Sequence, residues 1–372
     1  MSLDDAKVAA LLQRARREVD EGLLPSCQLA LALDGEVVVD QCFGDSNADT
    51  RYVMFSCTKA IVAAAVWRAF GDGVLGPEQK VAEVIPEFGT NGKDAVTVEQ
   101  LLLHTAGFPR APMGPTVWAD RGARLERYSQ WRLNWEPGSR MEYHPTSAHW
   151  VLADLVEQAA GRDYRRFVAE RITEPLGLKG MSLGAPVDDQ DGIATLAACG
   201  APPDPEEVER LFGVREIPLG EVTEEALLHF NEPEARAVGV PGGGAVARAS
   251  DLALFYQALL HNPGGLWDAE VLRDGTSVVR ITFPDPLLGG VPANRTRGLV
   301  VAGDDGKSAF RGFGRTVSGR AFGHMGAGGQ VAWADPESGL SFCFLTNGMD
   351  ANLLRSGRRG TSLSSKAAVC VS

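Results

Sequence analysis

The spacing of apolar residues changes character several times along the chain. Residues 4–20 (DDAKVAALLQRARREVD) interleave charged and aliphatic positions at helical spacing and predict an amphipathic helix. The run QLALALDGEVVVDQCFG, residues 28–44, is instead two β-rich segments around Asp34-Gly35, a dipeptide suited to a tight turn, and predicts a hairpin. Residues 56–70 (SCTKAIVAAAVWRAF) are apolar nearly all round and stop at Gly71 and Gly73. A helix that is apolar on every side is buried on every side, so this one is expected to run through the middle of the fold.

Between about 75 and 235, short helical patterns alternate with proline and glycine, and strand signals are sparse. The clearest helix follows Pro145: Leu152, Leu155, Val156 and Ala159 share one face, and Gly161 supplies the stop. Residues 185–235, which include the acidic APPDPEEVE, are expected to be surface connections. Strand patterns return in GQVAWAD (329–335) and LSFCFLTN (340–347), an antiparallel pair joined through Pro336–Gly339. Strands near both ends with helices between them predict an α+β (α/β) fold, with an antiparallel sheet flanked by helices. On this reading residues 1–74 and 236–372 form one discontinuous sheet domain, and 75–235 a mostly helical insertion.

Composition then narrows the function classes. The 372 residues carry 36 basic and 48 acidic side chains, a formal charge of −12. That balance argues against nucleic acid as a partner, since tracking phosphates needs a basic face, and against a polybasic membrane anchor. No stretch reaches the roughly 18 apolar residues of a spanning helix. The first residues carry charges throughout rather than a basic segment followed by an apolar one, so no export signal is expected and the cytoplasm is the expected compartment. Six scattered cysteines without a C-x-x-C pair fit buried free thiols better than disulfides or zinc.

Candidate chemistry begins at Ser56-Cys57-Thr58-Lys59. Three residues is nearly one helical turn, which brings Ser56 and Lys59 to one face. A serine hydroxyl is a poor nucleophile without a base beside it, and a lysine becomes such a base when burial disfavours its ammonium form. The start of a helix also offers free N–H groups to a developing oxyanion. Four residues alone are weak evidence, because they equally describe a serine N-cap with an extended lysine. His144 and His149, with Glu142, are spaced wrongly for a metal on one helix face, and no metal or other cofactor is expected. Gly242-Gly243-Gly244 lacks the following G-K-[ST] of a phosphate loop and fits a tight turn. Cys57 is expected to serve packing, and there is no G-x-S-x-G nucleophile elbow.

The downstream blocks change the weight of Ser56 and Lys59. LLLHTAGFP (101–109), PGSRMEYHPTSAHWVLADLVEQAAG (137–161), VPGGGAVARASDLALF (240–255) and AFGHMGAGGQ (321–330) follow in order. Together with SCTK, from about residue 25 to 350, the chain resembles the serine β-lactamase and penicillin-binding-protein superfamily. The similarity is to its class C-like branch, which includes family VIII carboxylesterases. The resemblance implies a β-lactamase/transpeptidase-like fold, with Ser56 the acylated nucleophile and Lys59 its base partner. It also implies that Tyr143 shares a proton with the lysine, and that His324 and Gly326 line the substrate site from a strand. The oxyanion hole would use the N–H groups of Ser56 and Ala327. His104 falls in a block that is structural in relatives and is expected to be a hydrogen-bonded scaffold residue.

Three departures from the family pattern bear on substrate. Pro145 stands where an asparagine commonly contacts an amide carbonyl, His324 replaces a lysine, and no class A-type glutamate is identifiable. These departures, and the acidic balance, favour a small-molecule ester, neutral in charge, over a β-lactam or D-alanyl peptide. The expected activity is a serine esterase on small or short-chain acyl esters. Amide hydrolysis by the same fold and a non-catalytic binding role are the alternatives, and acyl transfer to an alcohol is open to the same chemistry.

Overall fold

A computed structural model describes residues 2–216 and 222–371. Part of the acidic connection expected at 185–235 therefore lies outside the described residues. The central sheet is antiparallel throughout, and its strands come from both ends of the chain. In chain order they are β1 (Ser26–Leu33), β2 (Glu36–Gly44), β3 (Val300–Val301), β4 (Phe322–Met325), β5 (Val331–Asp335) and β6 (Leu340–Thr346). Their spatial order is β2-β1-β6-β5-β4-β3. Pairing of Leu29 with Phe344 and of Ala30 with Cys343 joins the N-terminal hairpin to the C-terminal one.

The expected Asp34-Gly35 hairpin forms, with both residues at positive φ (52° and 82°), as its turn requires. Strand β1 is buried along its whole length, which means both faces of the sheet are covered. The two faces differ in side-chain size. Leu29, Leu31, Val331, Trp333, Phe342 and Phe344 meet helices α1 (Asp5–Asp20) and α6 (Leu353–Ala367). Ala30, Ala32, Ala332, Ala334 and Cys343 face the other core, where α5 (Ala249–His261) packs on β1, β5 and β6. Small residues on that face let α5 approach closely, and its own Ala249 and Ala253 continue the pattern.

Helix α2 (Thr58–Gly71) is the buried helix expected from its all-round apolar sequence: Ile61, Ala63, Ala64, Val66, Trp67 and Ala69 have no exposed surface. It packs on α4 (Ser147–Ala160), which ends at Gly161 in the left-handed conformation. Residues 75–235 add no strand to the six-stranded sheet among the described residues, though short strands at Ser182–Leu183 and Ala197–Cys199 pair elsewhere. All six cysteines are free.

Helix α3 (Arg121–Gln130) is fixed to α4 through one buried carboxylate. Asp154 accepts from Arg124 Nε at 3.1 Å, Arg124 Nη2 at 2.6 Å and the Tyr128 hydroxyl at 2.6 Å. Removing it leaves a buried guanidinium without its partner. Asp154→Ala is expected to lower unfolding free energy by about 3–5 kcal/mol, measured by urea denaturation; a loss below 1 kcal/mol would show that water replaces the carboxylate.

Candidate active site

Ser56 lies in a 3-10 turn, Phe55–Cys57, immediately before α2. The serine does not cap the helix: Cys57 is the N-cap, with no side-chain cap bond, so the ordinary structural use of a serine at this place is not the one made. Phe55 has φ of 44°, a left-handed conformation unusual for an aromatic residue. Its surroundings hold it there. Met54 N–H donates to Ala245 O at 2.9 Å, Ala245 N–H donates to Thr58 Oγ1 at 3.1 Å, and the Phe55 ring packs edge-on against Phe230. Strain concentrated beside a nucleophile and paid for by neighbouring bonds is a mark of functional sites.

Lys59 is fully buried one turn later. Its Nζ donates to Gly242 O at 2.6 Å and stands 3.0 Å from Ser56 Oγ, within reach of the hydroxyl proton. Burial drives its pKa well below 10.5, and the positive charge of Arg295 adds to that effect. The triple-glycine turn thus has a use beyond turning. A Cβ on Gly242 would lie 2.8 Å from Pro145 O, so only glycine lets this carbonyl reach the lysine.

Tyr143 arrives from the segment before α4. Lys59 Nζ lies 5.1 Å from its ring centroid and Arg295 Cζ 5.3 Å. Burial pushes the phenol up to about 12, against opposing effects of the Ser56 hydroxyl and Arg295. Its buried hydroxyl has no hydrogen-bond partner within bonding distance. The segment is held by His104, as expected of a scaffold residue. The His104 carbonyl accepts from Glu142 N–H at 3.3 Å, and its Nδ1 accepts from His144 N–H at 3.0 Å. The His104 ring lies 4.7 Å from that of Tyr143. His144 donates from Nδ1 to Glu142 O and accepts from Phe108 N–H at Nε2, which commits both nitrogens to backbone.

Strand β4 closes the other side. Cys57 Sγ donates to His324 O at 3.3 Å, tying the start of α2 to that strand; burial pushes this thiol up to about 12, consistent with packing rather than reactivity. His324 Nδ1 is 2.8 Å from Met325 O, while its buried Nε2 has no partner. With burial and then Arg295 lowering its pKa, His324 is neutral and presents an acceptor. Gly326 is required for a different reason than close approach of a substrate. A Cβ there would stand 2.7 Å from Met54 O and 2.5 Å from Gln330 Oε1, so protein fills that space. Ala327 is exposed in the turn that follows, and Ser56 is half-buried.

Sequence reasoning missed Arg295. It lies outside every motif, and only backbone pairing of the 295 region with Ile281 and Val300 brings it here. His149, whose spacing from His144 does not suit a metal, lies tilted against His104 at 5.6 Å, with both ring nitrogens buried and unpartnered. The described residues hold no cluster suited to a metal ion. Chemically, the arrangement offers a hydroxyl, an adjoining amine whose charged form burial disfavours, and a phenol without a hydrogen-bond partner, groups of the kind that acyl transfer through a serine can use.

Comparison with known proteins places the chain in a family. A family model described as Beta-lactamase matches residues 11–362. The chain is 27% identical over 378 residues to the esterase/beta-lactamase LipL of Mycobacterium tuberculosis, covering 89% of this chain and 79% of that protein. It is 29% identical to the esterase EstB of Burkholderia gladioli, covering 73% and 75%. The solved structure of a penicillin-binding-protein homologue from Caulobacter crescentus superposes with a TM-score of 0.81 at 27% identity, covering 98% of this chain and 99% of that one. The chain belongs to the beta-lactamase family, and is a serine hydrolase built on that fold.

Proposed function

We propose that this serine hydrolase is an esterase, cleaving small or short-chain acyl esters through an acyl-enzyme on Ser56. The observation that carries the reading is the 3.0 Å approach of a desolvated Lys59 amine to the Ser56 hydroxyl. Lys59 takes the hydroxyl proton as Ser56 Oγ bonds to the ester carbonyl. The tetrahedral oxyanion rests on the N–H groups of Ser56 and Ala327. Tyr143, protonated and without another partner, gives its proton to the departing alkoxide and is restored by the Lys59 ammonium. Water then attacks the acyl-enzyme with the same pair acting in reverse.

Ester over amide is supported by what the site lacks. Pro145 offers no side-chain amide to hold an amide carbonyl, and its own carbonyl packs against Gly242. His324 is neutral where a permanent cation would stand. The esterase names of LipL and EstB point the same way.

Steady-state rates on 4-nitrophenyl acetate and butyrate, a chromogenic cephalosporin and a D-alanyl anilide test this choice. Ester turnover is expected to dominate and to vanish in Ser56→Ala; amide or cephalosporin turnover exceeding it would reverse the reading. Lys59→Arg puts a permanent cation in place of the base, and kcat/KM for the better ester is expected to fall about 10²–10⁴-fold. In the native enzyme, kcat/KM should decline as pH falls through an apparent pKa well below 10.5, because protonation of Lys59 removes the base. An acid limb that persists unchanged in a still-active Lys59→Arg enzyme would assign the base elsewhere.

A further inference from the structure

The site contains a buried cation that the reaction above does not use. Arg295 is 5% exposed, yet its Nε and Nη1 have no hydrogen-bond partner. Among the described residues no carboxylate lies within ion-pair distance of it. Asp285, itself buried, is the one carboxylate whose charge acts on Arg295, but it makes no ion pair with the guanidinium, and its Oδ1 accepts from Leu287 N–H at 2.9 Å. Every other ionisable neighbour is a base or a phenol: Lys59, Tyr143, His104, His144, His149 and His324 all sense the Arg295 charge. Burial keeps the four histidines neutral, with His144 lowered to about 3, so none of them supplies a counter-charge.

A guanidinium removed from water without an anion in hydrogen-bonding contact is costly, and proteins pair such groups directly. Stacking on Tyr143, at 5.3 Å, replaces only part of what water would give. The protein as a whole carries −12, so a local positive field here is set by this residue rather than by the general surface. We infer that Arg295 is a substrate-binding residue and that the ester it serves carries a carboxylate of its own, bound at the guanidinium while Ser56 attacks the ester carbonyl. Arg295 enters the site from the segment before β3, outside every block that carries the family resemblance. The inference rests on the esterase reading, reverses the preference for a neutral ester drawn from the motif departures and the acidic balance, and sets the substrate class as anionic esters, such as half-esters of short dicarboxylic acids.

Two matched pairs of esters test it, with spontaneous hydrolysis subtracted. Mono-4-nitrophenyl glutarate against 4-nitrophenyl butyrate places the charge on the acyl side; 4-acetoxybenzoate against phenyl acetate places it on the alcohol side. In at least one pair the charged ester is expected to have kcat/KM about tenfold or more above the neutral one, with the advantage shrinking as ionic strength rises. Arg295→Gln should collapse that ratio about 10- to 100-fold, mainly through KM, and Arg295→Lys should restore part of it. A native enzyme that prefers the neutral ester in both pairs would overturn the anion subsite and leave the esterase reading standing. So would an Arg295→Gln enzyme that loses both members of a pair in equal proportion, since the residue would then serve Tyr143 and Lys59 rather than the substrate. Binding is read independently of turnover by the melting temperature in glutarate at constant ionic strength. A saturable rise in the native protein, absent in folded Arg295→Gln, supports the subsite even if every ester proves inert, in which case the esterase reading alone fails. No rise in the native protein would overturn it.

Discussion

The site depends on keeping one lysine out of water. Lys59 sits in the first turn of α2, and its burial disfavours the ammonium form, as the proposed role of its amine as a base requires. The Gly242 carbonyl and the Ser56 hydroxyl then fix where that amine stands. Each support has a structural cost: an aromatic residue held at positive φ, a glycine that tolerates no side chain, and a buried cation nearby. The fold accepts these costs at one place because the surrounding packing over-determines it.

The sheet explains how distant parts of the chain meet there. Its strands come from residues 26–44 and 300–346, so Ser56 and His324 belong to neighbouring regions of one scaffold although they are far apart in sequence. Unequal side-chain size on the two faces sets helix distance: alanines where α5 lies close, and leucine, phenylalanine and tryptophan where α1 and α6 lie. The Cys57–His324 bond and the contact of Gly326 with Met54 then join the serine turn directly to β4. His104, from a third region, holds Tyr143 by backbone bonds on either side of it.

Much of this was legible in sequence, and the physics says which part. Alternation around Asp34-Gly35 and the run of alanines after Ser56 are local patterns, so the hairpin and the buried helix follow from them. Ser56 and Lys59 are related by helical spacing and were readable for the same reason. Arg295 was not, because its place depends on pairing with Ile281 and Val300, which no local period announces. Gly242 was visible only as a turn; that its carbonyl binds Lys59 is a tertiary fact. Overall charge misleads in the same way: the acidic total of −12 says nothing of a pocket where a lysine and an arginine share one tyrosine.

The protonation state of Lys59 is the point on which the account turns, and it is directly observable. A titration of lysine ¹³Cε shifts by NMR, with the Lys59 resonance assigned by its absence from Lys59→Arg, measures it in the resting enzyme. The account predicts a Lys59 midpoint well below 10.5, and below those of the solvent-exposed lysines. A Lys59 resonance that titrates with the exposed lysines would contradict it, because a serine beside an ordinary ammonium has no base to take its proton.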